Sequence, residues 1–173
     1  QALSDALELS QTALGTRMRE QLRLTTAIAS DLSLLTDDAL ALPLAEALSN
    51  SGATELTIFN QRGSAIVSTH SDPTKLVPTP VDDTLLLRVS QSQTYVGLDP
   101  AADVGLHVRA MVELVDGTAG AGTRYLHALF PIDERMGNLA QSVESAYADY
   151  SELTYLREPL KFSFTLTLSL AVL

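Results

Sequence analysis

The sequence predicts an α+β fold, with one antiparallel sheet of about five short strands set between two long helices. Three observations predict it. The first 36 residues hold no proline and a single glycine, Gly15, with apolar residues at helical spacing. Residues 53–132 break into short β-type runs separated by Gly-, Asn- and Pro-bearing turns, with one helical stretch between the second and third runs. From Asp133 a second periodic run carries the chain to an apolar end. Adjacent hairpins rather than strand–helix–strand units make the sheet antiparallel.

In chain order, Gln1–Thr36 reads as the first helix. Leu3, Leu7, Leu14, Met18, Leu22, Leu24, Ile28, Leu32 and Leu35 fall on one broad face at 100° per residue. At ~1.5 Å per residue it reaches ~50 Å, longer than a compact domain of this size. Its C-terminal half is therefore expected on the core and its N-terminal half in a dimer, with Leu7, Leu14, Met18 and Ile28 as dimer or core positions. Thr36 or Asp37 suits a cap. Asp38–Ser49 reads as a short helix that carries Pro43 early and is stopped by Asn50-Ser51-Gly52.

Glu55–Asn60 and Ser64–His70 read as a hairpin whose turn ends in Gly63. Residues 71–80 contain Pro73, Pro78 and Pro80 and are loop. Val81–Gln93 is a helix with Asp82 and Asp83 at its positive end. Tyr95–Leu98 is a short strand, residues 99–103 a turn, Leu106–Val115 a strand, 116–122 a loop and Arg124–Ile132 the partner strand, with Pro131 marking a bulge or the strand's end.

Net charge is −10 with 11 Lys and Arg against 21 Asp and Glu, so no basic face for nucleic acid is expected. No cysteine is present, which excludes thiolate metal sites, disulfides and cysteine nucleophiles. No G-x-S-x-G, P-loop or G-x-G-x-x-G occurs, and no catalytic residue is assigned.

The candidate site residues lie on the last two strands. By period 2, His107, Arg109 and Met111 share one face, as do Tyr125, His127 and Leu129. The opposite faces, Leu106/Val108/Ala110/Val112 and Leu126/Ala128/Phe130, are apolar and look like the side against the long helix. The polar faces would meet either water, as alternate residues of antiparallel sheets usually do, or a ligand pocket. In a pocket, Arg109 and Arg124 could hold a carboxylate or phosphate, and Tyr95 and Tyr125 could form walls. His107 and His127 with Glu113 suggest zinc only with a speculative third ligand, so no metal is expected.

Tyr150–Leu173 carries a resemblance. The elements Tyr-x-Glu-Leu, Leu-Arg-Glu-Pro-Leu-Lys and Phe-x-Leu-Thr-Leu-Ser-Leu look like the junction between the periplasmic domain and second transmembrane helix of NtrY-type sensor histidine kinases of nitrogen regulation. The preceding residues match that family in layout: a long helix, a mixed middle and a long helix returning to the membrane. The β-hairpin with its glycine turn is similar to the opening of PAS-like and Cache (PDC) sensor domains, in which the ligand sits under the loop and helix between the second and third strands.

The resemblance implies an extracytoplasmic sensor domain over 1–160, made of helix 1–36, sheet core 53–132 and helix 133–160. Residues 161–173 would start a transmembrane helix that the chain's end cuts short, since a full span takes about 20 apolar residues. It implies location at the inner membrane with this domain in the periplasm, flanking transmembrane helices, a homodimer, and signal transmission through Tyr150, Leu153, Arg157, Pro159 and Lys161. The partner sensed would be a small molecule or a periplasmic protein. A response regulator, and the ATP and Mg of a kinase, would belong to a cytoplasmic part beyond residue 173. A chemoreceptor or cyclase ligand domain is the close alternative, and a ligand-free dimerisation module the other.

Overall fold

α1 occupies Ala2–Leu32 in a computed structural model that describes residues 2–101, 105–115 and 122–132. The helix ends four residues before the expected Thr36, and carbonyls just past its end accept from a buried cation. The Arg124 guanidinium donates through Nη1 to Leu35 O at 2.9 Å and through Nη2 to Ser33 O at 3.2 Å. Of the expected stripe, Leu14, Met18, Ile28 and Leu32 are buried, whereas Leu24 is exposed. The Leu7 side chain lies outside the described residues.

A 3-10 turn at Asp37–Ala39 and α2 at Ala41–Ser51 replace the single helix expected from Asp38. Pro43 has no N–H to return to Ala39, so the α-helix can begin only where that donor is not needed. Leu44 N–H does donate, to Leu40 O at 2.9 Å. Gly52 ends α2 in the left-handed region, at φ +78°.

The strands are β1 Glu55–Asn60, β2 Ala65–His70, β3 Thr94–Ala101, β4 Gly105–Leu114 and β5 Arg124–Pro131. α3, Asp83–Ser92, lies between β2 and β3 in the chain, and Asp82 caps it by accepting Leu85 N–H. β3 runs through Asp99-Pro100-Ala101, where a turn was expected. It is an edge strand, and an edge strand can accept a proline whose missing N–H would face outward.

The sheet order is β2-β1-β5-β4-β3. β1 pairs antiparallel with both β2 and β5, with Thr57 opposite Ser68 on one side and His127 on the other. The short connections 102–104 and 115–123 cannot make parallel crossovers, so the remaining neighbours are antiparallel too. The β1–β2 turn holds Gly63 at φ +86°, where a Cβ would stand 2.8 Å from Leu86 Cδ1 of α3.

The chain divides into two compact units. One comprises residues 21–96 and 109–131. Of the other, residues 2–20, 97–101, 105–108 and 132 are described. In the first unit both faces of β1 and β5 are buried. Leu56, Ile58, Leu126 and Ala128 are fully buried on one face, and Phe59, Tyr125, Leu85, Val89 and Met111 form a cluster on the other. Val81, Leu86 and Tyr95 pack against that cluster.

Among the described residues no helix is long and apolar enough to cross a membrane. The expected helix from Asp133, the transmission residues Tyr150, Leu153, Arg157, Pro159 and Lys161, and the expected membrane segment 161–173 lie outside the described residues.

Arg124 also meets Asp37 Oδ1 at 3.1 Å, but Asp37 is more than half exposed. Solvent screening therefore leaves that pair little stabilising value. Arg124→Ala should cost about 2–4 kcal/mol, because it strips buried partners from two carbonyls. Asp37→Ala should cost less than about 1 kcal/mol. Urea denaturation of the two variants checks the contrast.

Candidate functional site

Period 2 along β1 places Glu55, Thr57 and Phe59 on one face, and register places Leu129, His127 and Tyr125 directly opposite them. Met111 joins the same cluster as Phe59 and Tyr125, which puts Arg109 on this face two residues earlier in β4. The face is thus apolar at one end and polar at the other. The polar residues do not face water: Glu55 is 2% exposed, and Thr57 and His127 are fully buried. Arg109 is half-buried.

What buries them is the segment the chain places between β2 and β3. Residues 71–82 cross from β2 to α3 as a strap. Ser71 N–H donates to Thr54 O at the strap's start, and Asp82 caps α3 at its end. Thr79 lies over the polar end. Its N–H donates to Glu55 Oε1 at 3.2 Å and Oε2 at 3.3 Å, and its hydroxyl donates to Oε1 at 3.3 Å. These bonds partly offset the cost of holding a carboxylate away from water. Thr57 Oγ1 and Ser68 Oγ share a hydrogen bond of 2.8 Å, which leaves Thr57 engaged toward β2.

His127 is differently placed. Neither ring nitrogen has a hydrogen-bond partner, and Phe59 meets the ring edge-on at 5.8 Å between centroids. Nδ1 stands 3.8 Å from Glu55 Oε2, beyond hydrogen-bond distance. Burial, helped by the charge of Arg109, pushes the imidazole down to about 3, so the ring is neutral near pH 7 and the Glu55 contact is not an ion pair there. Tyr125 is pushed up by burial and by the charge of Glu113.

Of the residues proposed from sequence, Arg109, Tyr125 and His127 are brought to this face, and Tyr95 packs at its apolar end with the Arg88 guanidinium 5.7 Å above its ring. His107 is buried but belongs to the other unit. Arg124 is not part of the group: it is one residue out of phase with Tyr125 and His127, and its side chain clamps the end of α1. Glu55, Thr57 and Thr79 were not singled out, although the alternation in Glu-Leu-Thr-Ile-Phe separates Glu55 and Thr57 from Leu56 and Ile58. Of the two settings open to this face, water does not hold for Tyr125 and His127: both are buried, and Leu85 and Val89 of α3 pack with Tyr125. A surface cleft lined by Asn60, Gln61, Arg62, Gly122 and Thr123 lies at the β1–β2 turn, away from this face. Among the described residues no group of three or more His, Asp or Glu side chains is disposed to hold a metal.

The lowered His127 value makes folding stability depend on pH. A group held near 3 when folded and at 6.5 when unfolded binds its proton in the unfolded chain first. Its contribution is complete above pH 6.5 and is lost as pH falls toward 3. From pH 7.5 to pH 5 the wild type should lose up to about 2 kcal/mol relative to His127→Gln, measured by denaturation at both pH values.

No protein-family model and no curated protein matches this chain. Solved structures do. The ligand-binding domain of the Campylobacter jejuni chemoreceptor Tlp3 in complex with L-valine superposes with a TM-score of 0.56 at 12% identity, over 83% of this chain and 62% of that one. The sensory domain of the same receptor with isoleucine bound gives 0.55 at 12% identity and the same coverage. This chain therefore spans under two thirds of the length of those domains. At this identity the likeness is one of fold: the expected Cache-like (PDC) α+β architecture.

Proposed function

We propose that this chain is an extracytoplasmic sensory domain that recognises a small amino-acid-like ligand and has no catalytic role of its own. One observation carries the reading. A row of polar side chains, the buried Glu55 and His127 with the half-buried Arg109, lies at the end of an otherwise apolar sheet face under a strap and a helix. A carboxylate and a guanidinium suit the two charges of a zwitterion, and Arg matches a carboxylate bidentately. Phe59, Met111, Tyr125 and Leu85 offer an apolar wall for a side chain. The occupied state of the similarly folded receptor domains, with valine and isoleucine, supports that ligand class.

A chemoreceptor-type domain is the form of this proposal that the fold comparison favours. The NtrY-type kinase is the second reading, and it rests on the wording of Tyr150–Leu173. In either, the domain sits outside the inner membrane, works as a homodimer, and passes its ligand state toward the membrane through the residues after Ile132. Kinase chemistry with ATP and Mg, and a response regulator, belong to the second reading only.

Thermal melting against L-valine, L-isoleucine, other amino acids, simple carboxylates, nitrate and nitrite tests the proposal. A ligand at 100 times its Kd should add about 2.7 kcal/mol, seen as a rise of several degrees. Glu55→Gln and Arg109→Ala should each abolish the shift. A flat panel, or a shift that survives both substitutions, would overturn the assignment.

A further inference from the structure

We propose that Glu55 and His127 form a proton-operated latch: protonation of His127 draws the Glu55 carboxylate off Thr79 and frees the strap 71–82 from the sheet. This goes beyond ligand recognition and stands whether or not a ligand binds, because every part of it is present in the unliganded domain.

The geometry sets two claims on one carboxylate. Thr79 holds Glu55 from the strap through bonds at the long end of the hydrogen-bond range, 3.2–3.3 Å. His127 faces the same Oε2 from β5 at 3.8 Å, with both ring nitrogens unbonded. With the ring neutral, Thr79 holds the carboxylate. Once a proton is on Nδ1, a charge-assisted bond to Oε2 outweighs a long neutral one. Closing that gap by about 1 Å carries Oε2 away from the Thr79 N–H.

The surrounding charges set the direction. Burial, and then the charge of Arg109 on β4, oppose a cation at His127, so in the closed form the proton is kept off. The other titratable groups toward this face are Glu113 on β4, Tyr125 on β5 itself, His70 opposite Glu55 on β2, and Asp82 at the start of α3. His70 Nδ1 is already occupied, accepting Asp72 N–H at 2.8 Å, and the Asp82 carboxylate accepts Leu85 N–H at 2.7 Å. Neither competes for His127. Opening the strap admits water, relieves burial and lets His127 approach its ordinary value, so acid favours the open form.

The strap is anchored at its α3 end, where Val81 packs against the core cluster and Asp82 caps the helix, and is lightly held before it. Pro73, Pro78 and Pro80 restrict its backbone, and an Asp72–Thr74 turn closes its first part. Leu76 and Val77 are 88% and 81% exposed, so little apolar packing opposes release at its centre.

The test is the hydrogen-exchange protection factor of the Thr79 amide, followed by NMR in the unliganded domain and corrected for intrinsic rate. Between pH 7 and pH 5 it should fall about tenfold or more, while the Ile58 amide in the central strand stays protected. In His127→Gln it should stay constant within about twofold. Equal loss in that variant, or no pH effect in the wild type, overturns the latch. Should His127→Gln not fold, the wild-type imidazole titration decides. Its midpoint must coincide with the loss of Thr79 protection, and a separation of more than about one pH unit overturns the proposal.

Discussion

The pairing of β1 with β5 is the constraint on which the rest depends. These are the first and last strands of the sheet, and they meet at its centre with Glu55 opposite Leu129 and Asn60 opposite Arg124. Central strands in a sheet covered on both faces have no side that can be given to water. Every polar side chain on them must find a partner or be held neutral, and three solutions appear. Arg124 takes carbonyls at the end of α1, Glu55 takes Thr79, and His127 stays uncharged. The first ties helix to sheet. The other two make a face on which charge is present but only partly committed.

That partial commitment is what sets this face apart from a plain core and supports the proposed binding role. A structural core gains most by filling such positions with apolar side chains of equal volume, since buried ion pairs and unbonded polar groups are weak sources of stability. A carboxylate on long bonds and a histidine without hydrogen bonds forgo that gain. They leave a region able to change partners when a ligand or a proton arrives, which is the property the proposed sensory role needs.

Much of the architecture was legible in the residues. The strands Glu55–Asn60 and Arg124–Pro131, the turn glycines Gly52 and Gly63, and the helix capped by Asp82 follow from local patterning, because each depends on neighbours a few residues away. What local patterning could not supply was the β1–β5 closure, which joins residues about seventy apart and has no hairpin to announce it. Without it, Glu55 reads as the start of a strand, Thr57 carries no signal, and the polar face of β5 stays open between water and a ligand pocket. Arg124 is a different case. The same two-residue alternation that grouped Tyr125 with His127 places Arg124 with Leu126 and Ala128, and applying it to the first strand residue would have sent it to the helix side.

The most direct measurement is the stability at neutral pH of a double variant, Glu55→Leu with His127→Leu, followed by urea denaturation together with its response to L-valine and L-isoleucine. If the polar row is kept for recognition, the variant should be at least as stable as the wild type and should lose any ligand-induced shift. A loss of several kcal/mol on substitution would show instead that the row holds the fold together, and would contradict the assignment of this face as the sensing site.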